Sequence, residues 1–166
     1  MQEREIETGG SYYEDSKMFH GALNGIMGTR FDMLIIGPRE SVSREIWREV
    51  VFALRHLDQL FNRFDVTSET SRINREALTA PGPLNPDDFS KVQWNDNDHT
   101  IFFSKEDISL DFGGYAKGYA LLKIKEIIHQ AGLKNCFVDF GNSSIMGIGQ
   151  HPYGDTWKVS FENPYR

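Results

Sequence analysis

The sequence predicts an α+β fold, a mixed and largely antiparallel sheet packed with two main helices, and three observations carry that reading. Ile46, Val50, Leu54, Leu57, Phe61 and Phe64 recur at steps of four and three, one apolar stripe on a helix of about 20 residues by the 3.6-residue period. Ala116, Ala120, Ile124, Ile127, Ile128 and Ala131 form a second stripe that ends at Gly132, a residue suited to the position just past a helix. Short apolar runs before the first stripe and after the second, separated by turn residues, read as strands.

Taken in order, residues 1–16 are polar and contain glycine, so they are expected to be poorly ordered, with a single domain over 17–166. A strand around Met18 to Leu23, a turn at Asn24-Gly25 and a strand around Arg30 to Ile36 follow, with Met27-Gly28-Thr29 between them. Asn-Gly between apolar runs is a strong hairpin signal, and Pro38 closes the second strand. Ser41 or Ser43 can cap the first helix, with Glu45 in its first turn. In FNRFDVTSETSRIN, Ser68, Ser71 and Asn74 suit either capping a short helix or binding a ligand's polar edge, with capping the default. Glu76 to Asn97, centred on APGPLNPDD, reads as a connector with a brief helical turn at Asp87 to Val92. His99 to Ser104 is a strand, expected to pair through Lys105-Glu106-Asp107 with another at Ile108 to Phe112. After the second helix, strands are expected at Asn135 to Phe140, Ile145 to Gly149 and Thr156 to Phe161. The order strand, helix, strand over Ile108 to Phe140 has the length of a βαβ crossover, and the later strands read as an antiparallel meander.

The totals narrow the function classes. The 166 residues suit one sizeable core. A net charge of −6, with the 18 Lys and Arg dispersed, argues against a nucleic-acid face or an anionic-membrane patch. The single cysteine, Cys136, has no internal disulfide partner and is expected to be buried and inert. No apolar run approaches the roughly 20 residues that span a bilayer, and MQEREIETGG is not a signal peptide, so the sequence leaves the compartment open.

For chemistry, the stretch ISLDFGGYAKG (Ile108 to Gly118) stands out. A strand passing through Gly113-Gly114 into a helix start presents unpaired amides and the positive end of the helix dipole to an anion, and Lys117 adds a mobile charge. A plain turn is the alternative. There is no GxSxG elbow, HExxH, CxxC pair or Walker A loop. Gly147-Ile148-Gly149 precedes a polar loop and reads as a bend. His20, His56, His99, His129 and His151 are scattered and read as structural or exposed. Asp111 and Asp139, each two residues before a glycine, can hold Mg²⁺ or a ribose, or simply cap their turns.

Five blocks in order, Met27-Gly28-Thr29, LDQLFNRFDVTSETSRIN (Leu57 to Asn74), LDFGGYAKGYA (Leu110 to Ala120), FVDFGNSSIMGIG (Phe137 to Gly149) and WKVSFENP (Trp157 to Pro164), resemble the ApbE-type FAD:protein FMN transferases, historically labelled thiamine biosynthesis lipoproteins. The resemblance implies a T-fold-related architecture and a bacterial flavinylation enzyme. Such an enzyme takes FAD as substrate, requires Mg²⁺, and attaches FMN through a phosphoester to a Ser or Thr of a protein acceptor. By position it implies that Met27 and Phe64 touch the flavin nucleotide, that Gly113, Lys117 and Tyr119 lie along FAD, and that Ala116 offers a backbone carbonyl to the metal. Family members are often exported and membrane-anchored in the periplasm. The chain departs from the family in three ways: the usual middle segment with a GxFD-type motif is replaced by the Pro-rich connector, the segment supplying an acidic residue and Ser or Thr for Mg²⁺ would follow Pro164, and Asn142 replaces the second glycine of the fourth block. Two alternatives to turnover therefore accompany the transferase reading, a flavin- or nucleotide-binding module and a self-associating scaffold.

Overall fold

Alternating burial along the strands places the sheet. The computed structural model describes residues 7–77, 92–104 and 108–160. Within them, β1 (Glu7–Tyr13), β2 (Met18–Ile26), β3 (Thr29–Ile36), β6 (Asn135–Phe140) and β7 (Ser144–Ile148) form one five-stranded sheet in the order β1-β2-β3-β6-β7, every pairing antiparallel. Phe19, Leu23 and Ile26, then Phe31, Met33 and Ile35, then Cys136, Val138 and Phe140 turn to one face and are buried, as the two-residue period of a half-covered sheet requires.

The chain divides into two compact units, residues 1–55 with 117–166, and 56–116. The five-stranded sheet belongs to the first unit. Helix α1 (Glu40–Phe61) begins in that unit and α3 (Ala116–Gln130) ends in it. The α1 stripe is buried at Ile46, Val50 and Leu54, and that of α3 at Ala120, Ile124 and Ile128. Trp47, one residue off the α1 stripe, is also buried and lies 6.2 Å from Phe31 and 6.1 Å from Phe19, ring to ring. α1 starts before Ser41 and Ser43, the expected caps, and Ser43 is fully buried with its hydroxyl toward the Pro38 carbonyl.

The hairpin expected to turn at Asn24-Gly25 turns instead at Met27-Gly28. Ile26 pairs with Thr29, and the register shifts between Asn24 and Ile26, so Gly25 is a bulge inside β2. Met27 and Gly28 both have positive φ, 45° and 74°, the backbone that a two-residue hairpin loop needs. Strand β1 occupies part of the segment expected to be poorly ordered, because its backbone pairs with β2 from Glu7↔Asn24 to Tyr13↔Met18.

In the second unit, α2 (Glu69–Glu76) is followed by β4 (Val92–Asn95) and β5 (Thr100–Phe103), which pair antiparallel. This corrects two expectations. β5 takes its partner from within the supposed connector, and Ile108 to Phe112 is not a strand. The Leu110 amide donates to Asn74 Oδ1 at 2.7 Å and the Leu110 carbonyl accepts from Asn74 Nδ2 at 3.0 Å, so one side-chain amide supplies what a neighbouring strand would have. With no strand there, the strand–helix–strand order makes no parallel crossover. The helical turn proposed at Asp87 to Val92 and the link Lys105-Glu106-Asp107 lie outside the described residues, apart from Val92, which opens β4. The described part of the last expected strand, 156–160, is also not a strand. Its Trp157 ring lies tilted 5.1 Å from that of Phe137 and donates its indole N–H to the Ile148 carbonyl, a side-chain attachment to the sheet rather than a backbone ladder.

At Gly21 the helix layer meets the sheet closely: a Cβ there would stand 2.6 Å from the Trp47 ring. Gly21→Ala is expected to lower stability by about 1–3 kcal/mol, the usual cost of overpacking a filled core. A urea titration reads this as a lower midpoint at unchanged slope, and an unchanged midpoint would mean that the indole moves aside freely.

Candidate functional site

The β3–β6 register brings two hairpin tips of the first unit side by side. Phe31 pairs with Phe140 and Asp32 with Asp139, so the Met27-Gly28 turn ahead of β3 lies beside the Gly141–Ser143 turn after β6. Contact between them is tight, since a Cβ on Gly141 would come within 2.2 Å of Thr29 Oγ1. Gly141 and Asn142 both have positive φ, 65° and 55°, and the Asn142 amide donates to Asp139 Oδ1 at 2.9 Å. Asparagine tolerates this backbone better than most residues, which is how it occupies the position of a glycine.

Lys117, the second residue of α3, reaches this turn. Its Nζ donates to Ser143 Oγ at 3.0 Å, and Ser143 Oγ donates to the Phe140 carbonyl at 3.2 Å. Among the described residues no carboxylate is within ion-pair distance of Lys117, so its charge is not offset by a fixed anion. The Met27-Gly28 turn and Lys117 are thus both attached to the β6–β7 turn, one by packing and one by hydrogen bonding. Tyr119 is turned away from Lys117, because residues two apart on a helix do not share a face. Its ring instead has the Lys123 ammonium 5.5 Å from its centroid.

On the outer sheet face beside these turns, Asp32 accepts from Arg30 Nε at 2.5 Å and Nη2 at 2.7 Å, with His20 Nε2 2.8 Å from Oδ1. The Arg30 guanidinium above all, helped by His20, holds the Asp32 carboxyl below the usual aspartate range against the upward push of partial burial. His20 was read from the sequence only as structural or exposed. Its ion pair follows from the β2–β3 register, which no local pattern announces. Cys136 is buried on the opposite face, and burial pushes its thiol up to about 12, so it is no nucleophile at neutral pH.

In the second unit, Phe64 is 74% exposed, with the Arg63 guanidinium 4.7 Å from its ring centroid. Arg63 Nη1 lies 3.3 Å from Asp111 Oδ2, and Asp111 Oδ1 accepts the Gly113 amide at 2.9 Å. The Tyr115 and Ala116 amides both donate to the Phe112 carbonyl, and Ala116 is buried. Among the α3-entrance amides, those of Gly113, Tyr115 and Ala116 are therefore met by the chain itself. Ser68 caps α2 by accepting the Ser71 amide, and Ser71 Oγ donates to the Arg63 carbonyl at 3.0 Å. Ser68, Ser71 and Asn74 are structural here, the default their composition suggested.

Asp111 and Asp139 each accept an amide of the turn that follows, so both act as turn caps. Among the described residues no group of three His, Cys, Asp or Glu side chains can hold a metal ion, and the Ala116 carbonyl lies in the first turn of α3, where the helical ladder directs it along the axis. The described residues do not compose a Mg²⁺ site by themselves. No helix among them is long and apolar enough to cross a membrane.

A family profile described as "ApbE family" matches residues 83–166, half of the chain. No curated protein matches. Among solved structures, a mutant of the flavin transferase ApbE from Vibrio cholerae superposes with a TM-score of 0.71 at 16% identity, covering 90% of this chain and 68% of that one. The apo flavinyl transferase ApbE of Pseudomonas stutzeri gives 0.64 at 16% identity, covering 98% and 62%. The ApbE protein of Thermotoga maritima gives 0.59 at 14%, covering 89% and 60%. These likenesses show the fold, and the chain spans from 60% to 68% of the length of these three proteins.

The Asp32 cluster makes a pH prediction. A carboxyl held low in the fold contributes stability that is present above the unfolded aspartate pKa of about 3.9 and is lost as pH falls through its lower folded value. Unfolding free energy is expected to decline in that acid window, and Asp32→Asn to flatten the decline. Identical acid limbs for the two proteins would remove Asp32 from the account.

Proposed function

We propose, since this chain belongs to the ApbE family, that it is a flavin transferase using FAD as substrate and a protein Ser or Thr hydroxyl as acceptor. The hydroxyl oxygen forms a bond to the FMN-side phosphorus, the bond from that phosphorus to the bridging diphosphate oxygen breaks, AMP leaves, and the hydroxyl proton is released. Such transfer depends on positioning and charge stabilisation more than on a strong nucleophile in the enzyme.

The observation that supports this reading best is Lys117. Its ammonium is held at a turn rather than at a carboxylate, as a diphosphate partner would need. Met27 in the neighbouring hairpin tip and Tyr119 on α3 are proposed to touch the nucleotide from the first unit. For Phe64, with its exposed ring, the family resemblance implies contact with the flavin nucleotide, and for Gly113 a place along FAD. A Mg²⁺ requirement and the Ala116 carbonyl as a ligand belong to the same proposal.

A second reading is flavin or nucleotide binding without turnover, which would use the Lys117 contact and needs no metal. Incubating the protein with FAD, Mg²⁺ and an acceptor peptide and following flavin on the peptide separates the two. A flavinylated peptide is the expected product; FAD binding with no product selects the binding module. Product formation is expected to stop in excess chelator, and its persistence would remove Mg²⁺ from the reading.

Lys117→Ala is expected to weaken FAD affinity by about 10- to 100-fold, the range for a hydrogen bond to a charged group, without unfolding the chain. Flavin fluorescence titration beside circular dichroism measures both. Unchanged affinity would take Lys117 out of the site.

A further inference from the structure

We infer that Ser143 is a positioning residue for the nucleotide site, aiming the Lys117 ammonium at the diphosphate; this rests on the flavin-transferase reading above. A serine hydroxyl has one proton and two lone pairs. In this turn the proton is committed to the Phe140 carbonyl at 3.2 Å, which leaves the lone pairs to accept Lys117 Nζ at 3.0 Å. The hydroxyl thus receives the ammonium without neutralising it. Of the three ammonium N–H groups, one is used by Ser143, and among the described residues no carboxylate takes either of the other two, which leaves them for anionic oxygens.

The turn that carries Ser143 is closely constrained. Gly141 abuts Thr29, so that no larger residue fits, and the Asn142 amide is tied to Asp139. A lysine side chain free in water samples many rotamers, and holding it by one bond removes part of the entropy that binding would otherwise cost. Ser143 therefore contributes to affinity without touching the ligand.

Affinity for FAD and for inorganic pyrophosphate, measured on Ser143→Ala, Ser143→Thr, Lys117→Ala and the Lys117→Ala/Ser143→Ala double variant, tests this. Ser143→Ala is expected to weaken both ligands by about 3- to 10-fold, the worth of one net hydrogen bond, at unchanged melting temperature. Ser143→Thr, which keeps the hydroxyl, is expected to restore affinity. In the Lys117→Ala background, removing Ser143 is expected to change nothing further, because it acts through the lysine. Wild-type affinity in Ser143→Ala, or the same loss with and without Lys117, overturns the inference while leaving the flavin-transferase reading in place. A wild-type chain that binds neither FAD nor pyrophosphate overturns that reading, and the inference with it.

Discussion

The β3–β6 ladder is the constraint on which the first unit depends. It joins Phe31 to Phe140 and Ile36 to Asn135, residues about a hundred positions apart, and is the pairing through which the three N-terminal strands meet the two that follow α3. Closing so long a loop costs entropy before any contact repays it, although the cost grows only slowly with length. Repayment comes from the buried face, where Phe31, Met33 and Ile35 lie next to Cys136, Val138 and Phe140. A slip of one residue would turn all of these outward, so burial fixes the register.

From that register the candidate site follows without further design. Antiparallel neighbours place the turn before β3 and the turn after β6 at the same end of the sheet, and the contact of Thr29 with Gly141 locks them together. Lys117 then needs only to stand in the first turn of α3 to reach Ser143. Lys117 donates to a hydroxyl, and among the described residues no carboxylate is within ion-pair distance of it, while Asp32 is paired with Arg30 and His20.

Among its described residues the second unit buries several short polar side chains. Ser68 and Thr70 are almost fully buried, and each makes a hydrogen bond that closes a backbone turn or carbonyl: Ser68 with the Ser71 amide, Thr70 with the Leu60 carbonyl. Asn74 holds both polar groups of Leu110. The sequence pattern around Ile108 to Phe112 alternates as a strand does, yet alternation records only which side chains face inward. It says nothing of which group satisfies the backbone, and here an amide side chain thirty-six positions away does so.

By itself the sequence determined the α+β class, both long helices, most strands of the main sheet and the ordered blocks that resemble the ApbE family, because these are written in local periodicity, turn chemistry and residue spacing. Tertiary structure alone decided that Asn24-Gly25 is a bulge and Met27-Gly28 the turn, that β5 pairs with β4, that His20 meets Asp32, and that Ser143 receives Lys117. Each of these depends on a partner supplied by another element, and a hydrogen bond between distant residues leaves no period in the chain from which it could be read.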